Sequence, residues 1–545
     1  MVRWFDPLIL ARTGVRSVIS ATIGKQADRR LLDALAAPKV EPSDFSVDAA
    51  GNPRQELWLD YVSDLGDGWD STYAVAHTVA RPSLTVQDET GKTYDTHGGE
   101  LLVFGGDAVY PDASVKEYEE RTIQPWASAM RGQRPRPHLF AIPGNHDWYD
   151  GLVSFIRLFC QERALGGWTT HQRRSYFAVK LPHGWWLIGT DMQLESDLDD
   201  PQVQYFQEVA KLMNKDDRVI LCLAEPAWLR AQVRTPAIRL HQENNLDFLQ
   251  HQVLGKKVSV FLAGDLHHYR RHANDAGQQK IIAGGGGAFL HPTHAPRKQR
   301  PLPEGFTARK CFPSATESRR LCWHNLAFLK HNPRFGMLTG LLYMLLAWAL
   351  STNIGASTAP KALSLVVSTA LGSPGVVIIA LLIILGLIGF ADARFGRLRP
   401  VVGVLHGLVH LLAVFLIAWG VSYLVGPVLD LPFRSLQRDL VSAALIFLGG
   451  LVVGPTLMGL YLLISLNVFS AHANEAFGSL SIPDWKNFVR MRIDKNGRLW
   501  LFPIGIRRVP RSWKPGSTVR EPEWVPDPAD KRATPPALIE PPIIV

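Results

Sequence analysis

Carboxylates, an amide and imidazoles recur in this chain at the ends of apolar runs. In order they are Asp64-Leu-Gly-Asp67-Gly68, Gly106-Asp107, Gly144-Asn145-His146-Asp147, Ala224-Glu225-Pro226 and Gly264-Asp265-Leu266-His267-His268. Hard oxygen donors with a few imidazole nitrogens among them make a ligand set for a pair of divalent cations that activates water against a phosphorus centre. The competing reading is a set of ordinary turns, because Gly, Asp and Asn are common turn formers. Chance turns have no reason to keep one order behind one kind of run.

The runs Leu57–Val62, Leu101–Phe104, His138–Ile142, Val219–Leu223 and Val258–Ala263 are short and apolar, which predicts buried strands. Helical stretches such as Ser114–Met130 and Gln202–Met213 alternate with them, so residues 51–300 read as one layered α/β domain. Ligands in such folds gather at strand carboxyl ends, where the candidate residues lie. Residues 1–50 read as a helical lead-in, amphipathic at Arg29-Arg30-Leu31-Leu32-Asp33-Ala34-Leu35. The run Gly284–Gly287 reads as a loop for close backbone packing rather than a phosphate contact. His268, His291 and His294 stand near the expected mouth, while Tyr110 and Trp148 read as packing residues.

The chain has 545 residues, a net charge of +9 and 20% charged residues, with a mean hydropathy of +0.02. Its apolar excess follows a polar connector at 301–335 and falls in segments at about 336–351, 374–391, 401–426 and 440–468. A helix needs roughly 20 apolar residues to cross a bilayer, so the first segment is short and the others come close or suffice. Lys330, Arg334, Arg394, Arg397, Arg399, Lys486, Arg490 and Arg492 mark one side of these segments. The positive-inside rule then predicts about four spans in the cell (inner) membrane, with the α/β domain and the C-terminus cytosolic. The same flanking charge explains the basic balance without a nucleic-acid partner.

No long apolar stretch with a cleavage site opens the sequence, which argues against a secretory signal peptide. Cys160, Cys222, Cys311 and Cys322 form no C-x-x-C pair, which fits a reducing compartment. His406 and His410 share one face of the third segment and read as hydrogen bonding between spans. Within 469–545, Asn487–Ile493 and Arg498–Ile504 flank Lys495-Asn496-Gly497, a strong hairpin signal that brings the tail back to the cytosolic domain. A loose Pro-rich end is expected beyond Arg511.

The order D-x-x, G-D, G-N-H-D, G-x-x-H over roughly residues 55–300 resembles the calcineurin-like metallophosphoesterase superfamily, in the form of a membrane-anchored bacterial-type member. The resemblance implies a four-layer α/β/β/α sandwich, here joined to a C-terminal α-helical transmembrane bundle and a short β-hairpin tail. It also implies two divalent ions. Asp64 matches the first-metal carboxylate, Asp107 the bridging aspartate, Asn145 the second-metal amide and His267 the last first-metal histidine. His146 matches the histidine that touches the scissile phosphate and assists the leaving group.

Three of the family's imidazoles are replaced: Gly66 stands in the first motif, Glu225 at the middle position and Asp265 in the last motif. Asp67 is a further carboxylate candidate beside Gly66. The result is a harder, more anionic set, which favours Mn²⁺ or Mg²⁺, with Fe and Zn²⁺ as the other candidates. Arg270 and Arg271 are placed to steer an anionic substrate, with His268 as a further contact. The expected activity is metal-dependent hydrolysis of a phosphomonoester, phosphodiester or pyrophosphate, on a substrate that the membrane segments suggest is lipid-linked. The alternative is a membrane sensor or scaffold that keeps the fold without turnover. A transporter is disfavoured, as no inverted repeat or broken helix is evident.

Overall fold

The computed structural model describes residues 1–10, 42–132, 137–192, 198–229, 245–255, 258–294, 302–350, 372–433 and 435–545, with a few positions between 361 and 368. The lead-in at Arg29–Leu35, the basic stretch after His294 and most of the loop after the first apolar segment lie outside these residues.

All five apolar runs are strands. They fall into two sheets: β1 (Leu57–Val62), β2 (Leu101–Gly105) and β3 (His138–Ile142) in one, β6 (Arg218–Leu223) and β7 (Val258–Ala263) in the other. The second sheet also holds β4 (Phe177–Leu181), β5 (Trp185–Gly189), β8 (Tyr269–Ala273), β9 (Gln279–Ala283) and β10 (Thr307–Phe312), in the order β4-β5-β6-β7-β9-β8-β10. Within each sheet the site-bearing strands run parallel: β1 with β2, β2 with β3, and β6 with β7. Parallel neighbours present their carboxyl ends together, so the loops after them meet.

The layers follow from which faces are apolar. Leu59, Tyr61, Val103 and Ile142 of the first sheet pack against Val179, Leu187, Ile220 and Leu262 of the second. On the outer face of the first sheet lie α1 (Trp69–Val79) and α2 (Gln124–Met130), packed through Val75, Val79 and Trp126. The outer face of the second is covered by α3 (Asp200–Lys211) through Tyr205, Phe206 and Val209. This is the expected α/β/β/α arrangement.

The apolar segments become α4 (Pro333–Leu350), α5 (Pro374–Phe390), α6 (Arg399–Tyr423) and α7 (Leu436–Phe469). Among the described residues, two helices, the one running through Ala393–Val428 and Leu436–Phe469, are long and apolar enough to cross a membrane, while Pro374–Phe390 is shorter. Small residues let them approach closely: a Cβ at Gly340 would stand 2.9 Å from the Phe447 carbonyl oxygen, and one at Gly454 2.5 Å from Thr339 Cβ. His410 Nδ1 lies 2.7 Å from the Tyr343 hydroxyl of α4 and His410 Nε2 lies 3.2 Å from His406 Nε2. His406 stacks on Tyr461 of α7 at 4.0 Å. The histidine pair thus joins three helices.

The tail hairpin, β11 (Lys486–Ile493) and β12 (Leu499–Ile506), does more than dock. β11 pairs antiparallel with β1, from Val489 opposite Tyr61 to Ile493 opposite Leu57, and so widens the first sheet. The end past Arg511 is ordered, contrary to expectation. Ile504 and Gly505 pair with Leu538 and Ala537, Val545 donates to the Leu499 carbonyl at 2.9 Å, and Leu538 and Ile539 are buried. Few apolar residues suffice here because β12 offers an unpaired edge.

The hairpin is locked by a buried ion pair. Arg490 Nε and Nη2 lie 2.7 and 3.1 Å from the two oxygens of Asp60, and the guanidinium also donates to the Val79 carbonyl at 3.1 Å. Both side chains are fully buried, so removing one leaves an uncompensated charge. Arg490→Ala is expected to destabilise the protein by about 3–5 kcal/mol, and Arg490→Met with Asp60→Leu by much less, in urea unfolding followed by tryptophan fluorescence.

Candidate metal centre

Three carboxylates are delivered by backbone in the left-handed region: Asp64 (φ 61°) after β1, Asp107 (φ 48°) after β2 and Asp265 (φ 64°) after β7. That region is costly for side-chain-bearing residues and least so for Asp and Asn. Hydrogen bonds between the loops hold it. Asp64 N–H donates to the Gly106 carbonyl at 3.0 Å, Leu65 N–H to that of Asp107 at 2.9 Å, and Gly264 N–H to that of Ala224 at 3.2 Å. A Cβ at Gly264 would stand 2.5 Å from Asp64 Oδ2 and one at Gly284 2.7 Å from it, so both glycines make room for this carboxylate.

The side chains converge on one hydroxyl. Tyr110 Oη lies 3.1 Å from Asp64 Oδ1, 3.2 Å from Asp107 Oδ2 and 3.0 Å from His267 Nε2. The sequence reading had Tyr110 as packing, and the structure corrects this: Pro111 and the Gly106 turn fold it back over its own motif. The Asp265 backbone N–H donates to both oxygens of Asp64, at 3.1 and 3.0 Å. His267 Nδ1 lies 2.8 Å from the Phe289 carbonyl. Only a donor satisfies that oxygen, so the proton sits on Nδ1 and the Nε2 lone pair faces the carboxylates.

His146 stands at the edge of the cluster. Its backbone N–H donates to Asp107 Oδ1 at 2.8 Å, and its Nδ1 lies 2.8 Å from the Pro111 carbonyl, which places the ring proton on Nδ1. Asp147, next in the motif, is structural: Gly144 N–H donates to it at 2.7 Å, and so does the Tyr118 hydroxyl. Asn145 adjoins them, with Nδ2 3.4 Å from Tyr149 Oη. Glu225 follows Ala224, whose methyl would stand 2.9 Å from a Cβ at Gly106, so it belongs to the same sheet end.

Other candidates are employed differently. Asp67 Oδ1 accepts Val2 N–H at 2.6 Å and Oδ2 accepts Phe289 N–H at 2.9 Å, so it fixes the loop bearing the Phe289 carbonyl. Arg270 donates to the Thr293 carbonyl at 2.5 Å, and Arg271 grips Glu540 at 2.9 and 2.6 Å. Neither guanidinium is placed for steering. His294 Nδ1 lies 2.8 Å from Ser318 Oγ, away from the cluster, and Trp148 donates to Asp191 at 3.0 Å. His268 is buried, and burial holds its imidazole well below the usual range and neutral. Lys486, which the sequence analysis places only among the charges flanking the apolar segments, is instead a buried ammonium from the tail that donates to the Ala288 carbonyl beside the centre. Burial pushes it down to about 8 while Asp67 and Asp64 oppose the shift.

Burial, and then the Asp265 charge, raise Asp64 to about 8. Burial and the charges of Asp64 and Asp265 push Asp107 up well above its ordinary value. Burial, and then the Lys486 charge, lower His267 to about 3. Burial lowers His146 too, although the Pro111 carbonyl and nearby carboxylates act in the opposite sense.

With this geometry in hand, residues 58–269 match the family model described as calcineurin-like phosphoesterase. That segment is similar to the calcineurin-like phosphoesterases, over less than half of the chain. The family is metal-dependent, and its members are phosphoric-ester hydrolases. Among solved structures, the chain is similar to Plasmodium GAP50, described as the anchor in the inner membrane complex, at 10% identity over 46% of this chain and 76% of that one, with a TM-score of 0.32. It is similar to purple acid phosphatase PPD1 from yellow lupin seeds at 11% identity, over 46% of this chain and 47% of that one, TM-score 0.31. PhoD gives 10% identity over 43% of this chain and 58% of that one, TM-score 0.28. No curated protein sequence matches the chain.

The donor set fits divalent cations on its own terms. Three mutually repelling carboxylates and an imidazole with its lone pair turned toward them need positive charge, and Lys486 alone does not balance them. A group whose folded-state pKa is raised stabilises the fold below its unfolded value and loses that contribution as pH rises through the folded one. The metal-free protein is therefore expected to melt at progressively lower temperature as pH rises from about 6.5, above which the lowered imidazoles no longer act, to about 8, where Asp64 ionises, less steeply in Asp64→Asn, with Mn²⁺ raising the melting temperature more at the alkaline end; scanning fluorimetry reads both.

Proposed function

We propose that the chain is a metal-dependent phosphoesterase acting at the cytosolic face of a membrane. The observation that carries this reading is the convergence of Asp64, Asp107 and His267 around one point, with His146 at its edge. Asp64, Asp107, Asp265 and His267, with Asn145 and Glu225 beside them, would hold the cations. Such cations supply an acidified water and polarise the phosphoryl oxygens. Asp107 orients the His146 backbone, and the Pro111 carbonyl holds the Nδ1–H of the His146 ring, so that the ring, once protonated on both nitrogens, would hand the Nε2 proton to the leaving group. Mn²⁺ or Mg²⁺ suits the oxygen-rich set.

The membrane placement draws on the bundle. Phe5 packs on Phe328, Phe335 and Phe390 at 5.1, 5.9 and 6.3 Å, and Asp6 pairs with Arg334 at 2.6 Å, so the sandwich sits on the bundle end that carries Arg334, Arg394 and Arg397. By charge asymmetry that end is cytosolic, with α4 to α7 as four spans. A substrate whose phosphate is attached to a lipid would reach the centre along this boundary. A second reading, a metal-free scaffold, is favoured by one feature: the Tyr110 hydroxyl already stands within hydrogen-bond distance of Asp64, Asp107 and His267 and can donate to any one of them.

The deciding experiment is hydrolysis of bis-p-nitrophenyl phosphate and p-nitrophenyl phosphate by the detergent-purified, chelated protein with Mn²⁺, Mg²⁺ or Zn²⁺ restored. Metal-restored turnover is expected, lowered at least about a hundredfold by Asp107→Asn and by His146→Ala. No turnover with any metal, and no metal in the purified protein, would establish the scaffold. For the lipid-linked substrate, rate on mixed micelles of a lipid phosphate is expected to follow its surface concentration, and indifference to it would sink that part.

A further inference from the structure

His267 leans on a second imidazole. His291 stacks on it with ring centroids 3.8 Å apart and planes 15° from parallel. The His267 backbone N–H points at His291 Nδ1, 3.3 Å away, and an amide N–H only donates. Nδ1 of His291 is therefore an acceptor, and the neutral ring carries its proton on Nε2. That nitrogen lies 3.0 Å from Asn474 Oδ1. The tautomer also requires the oxygen, not the nitrogen, of the Asn474 amide to face inward.

Asn474 lies on the short helix α8 (Ala473–Gly478), far outside the residues the family model covers. α8 is moored to the helix bundle. His472, just before it, is fully buried, and its backbone N–H donates to Asp392 Oδ2 at 2.6 Å. Its Nε2 accepts the Asp392 N–H at 3.2 Å and lies 2.9 Å from the Tyr461 hydroxyl of α7. Asp392 follows α5, so two bundle helices fix the position of α8.

We propose that Asn474 is a positioning residue for the metal ligand His267, acting through His291, so that the helix bundle completes the metal centre of the sandwich. This rests on the metal reading of the site given above. Two supports divide the work: the Phe289 carbonyl sets the His267 tautomer, and the stacked His291, tethered at its far nitrogen by Asn474, sets the ring plane. Outer partners of metal-bound imidazoles change metal affinity by about 10- to 100-fold when removed. Asn474 is at the low end, being one ring further out and exposed.

The test is calorimetric titration of Mn²⁺ into the chelated, full-length, detergent-purified protein. The arms are wild type, Asn474→Leu, Asn474→Asp, His291→Ala, and Asn474→Leu combined with His291→Ala. Asn474→Leu is expected to weaken Mn²⁺ binding roughly tenfold at unchanged stoichiometry. Asn474→Asp, which keeps an oxygen acceptor, is expected to stay within about twofold of wild type, and Asn474→Leu to add nothing in the His291→Ala background. The metal-free melting temperature of both single Asn474 variants is expected to match wild type, which separates positioning from damage to the fold. Unchanged affinity in Asn474→Leu, an equal loss in Asn474→Asp, or an additive double variant overturns the proposal and leaves the metal reading standing. Failure of wild type to bind Mn²⁺ overturns both.

Discussion

Mutual repulsion of buried carboxylates is the constraint around which this molecule is arranged. Asp64 and Asp107 are buried and sit with Asp265 close enough to raise one another. Charge of one sign removed from water is tolerated only if donors and cations surround it. The loops answer with backbone N–H groups from Asp265 and His146, the Tyr110 hydroxyl and the Lys486 ammonium. The glycines at 264 and 284 give the Asp64 carboxylate its space. A divalent cation is what such a set lacks to be balanced, and the family match over 58–269 agrees with that.

The second theme is how much of the centre is finished by chain that follows the helix bundle. β11 adds a strand beside β1 and is pinned by Arg490 on Asp60, four residues before Asp64 in the chain. The same strand brings Lys486 to the Ala288 carbonyl, next to the Phe289 carbonyl that orients His267. α8 then reaches His291 through Asn474. The helices therefore cannot be regarded as a tether alone. They stand between two parts of one sandwich, and the geometry of the site depends on how they present the returning chain.

Of the three positions at which the resemblance implies imidazoles, Gly66 carries no donor, while Glu225 and Asp265 carry carboxylates, which would favour hard cations. Asp67 is the exception, because its carboxylate is spent on the backbone of Val2 and Phe289. It stabilises the centre from outside by holding the loop on which the His267 tautomer depends.

The strands, their order and the loops carrying Asp64, Asp107, His146, Asp265 and His267 were legible in the sequence. Short apolar runs cut off by Gly, Asp or Asn state both where a strand stops and which side chain stands there. The tail hairpin was legible for the same local reason, as Asn496-Gly497 accepts the positive φ a tight turn needs. What no local pattern holds is direction and partnership over hundreds of residues. Tyr110 turned from packing residue to hub because β1, β2 and the loop after β7 close around its hydroxyl. Arg270 and Arg271 looked like steering charges until Thr293 and Glu540 claimed them. Sequence fixes which groups are available at each strand end, since that depends on neighbours along the chain. Which of them face one another, and which are consumed elsewhere, is set by packing of segments remote in sequence, and only the tertiary structure decided it.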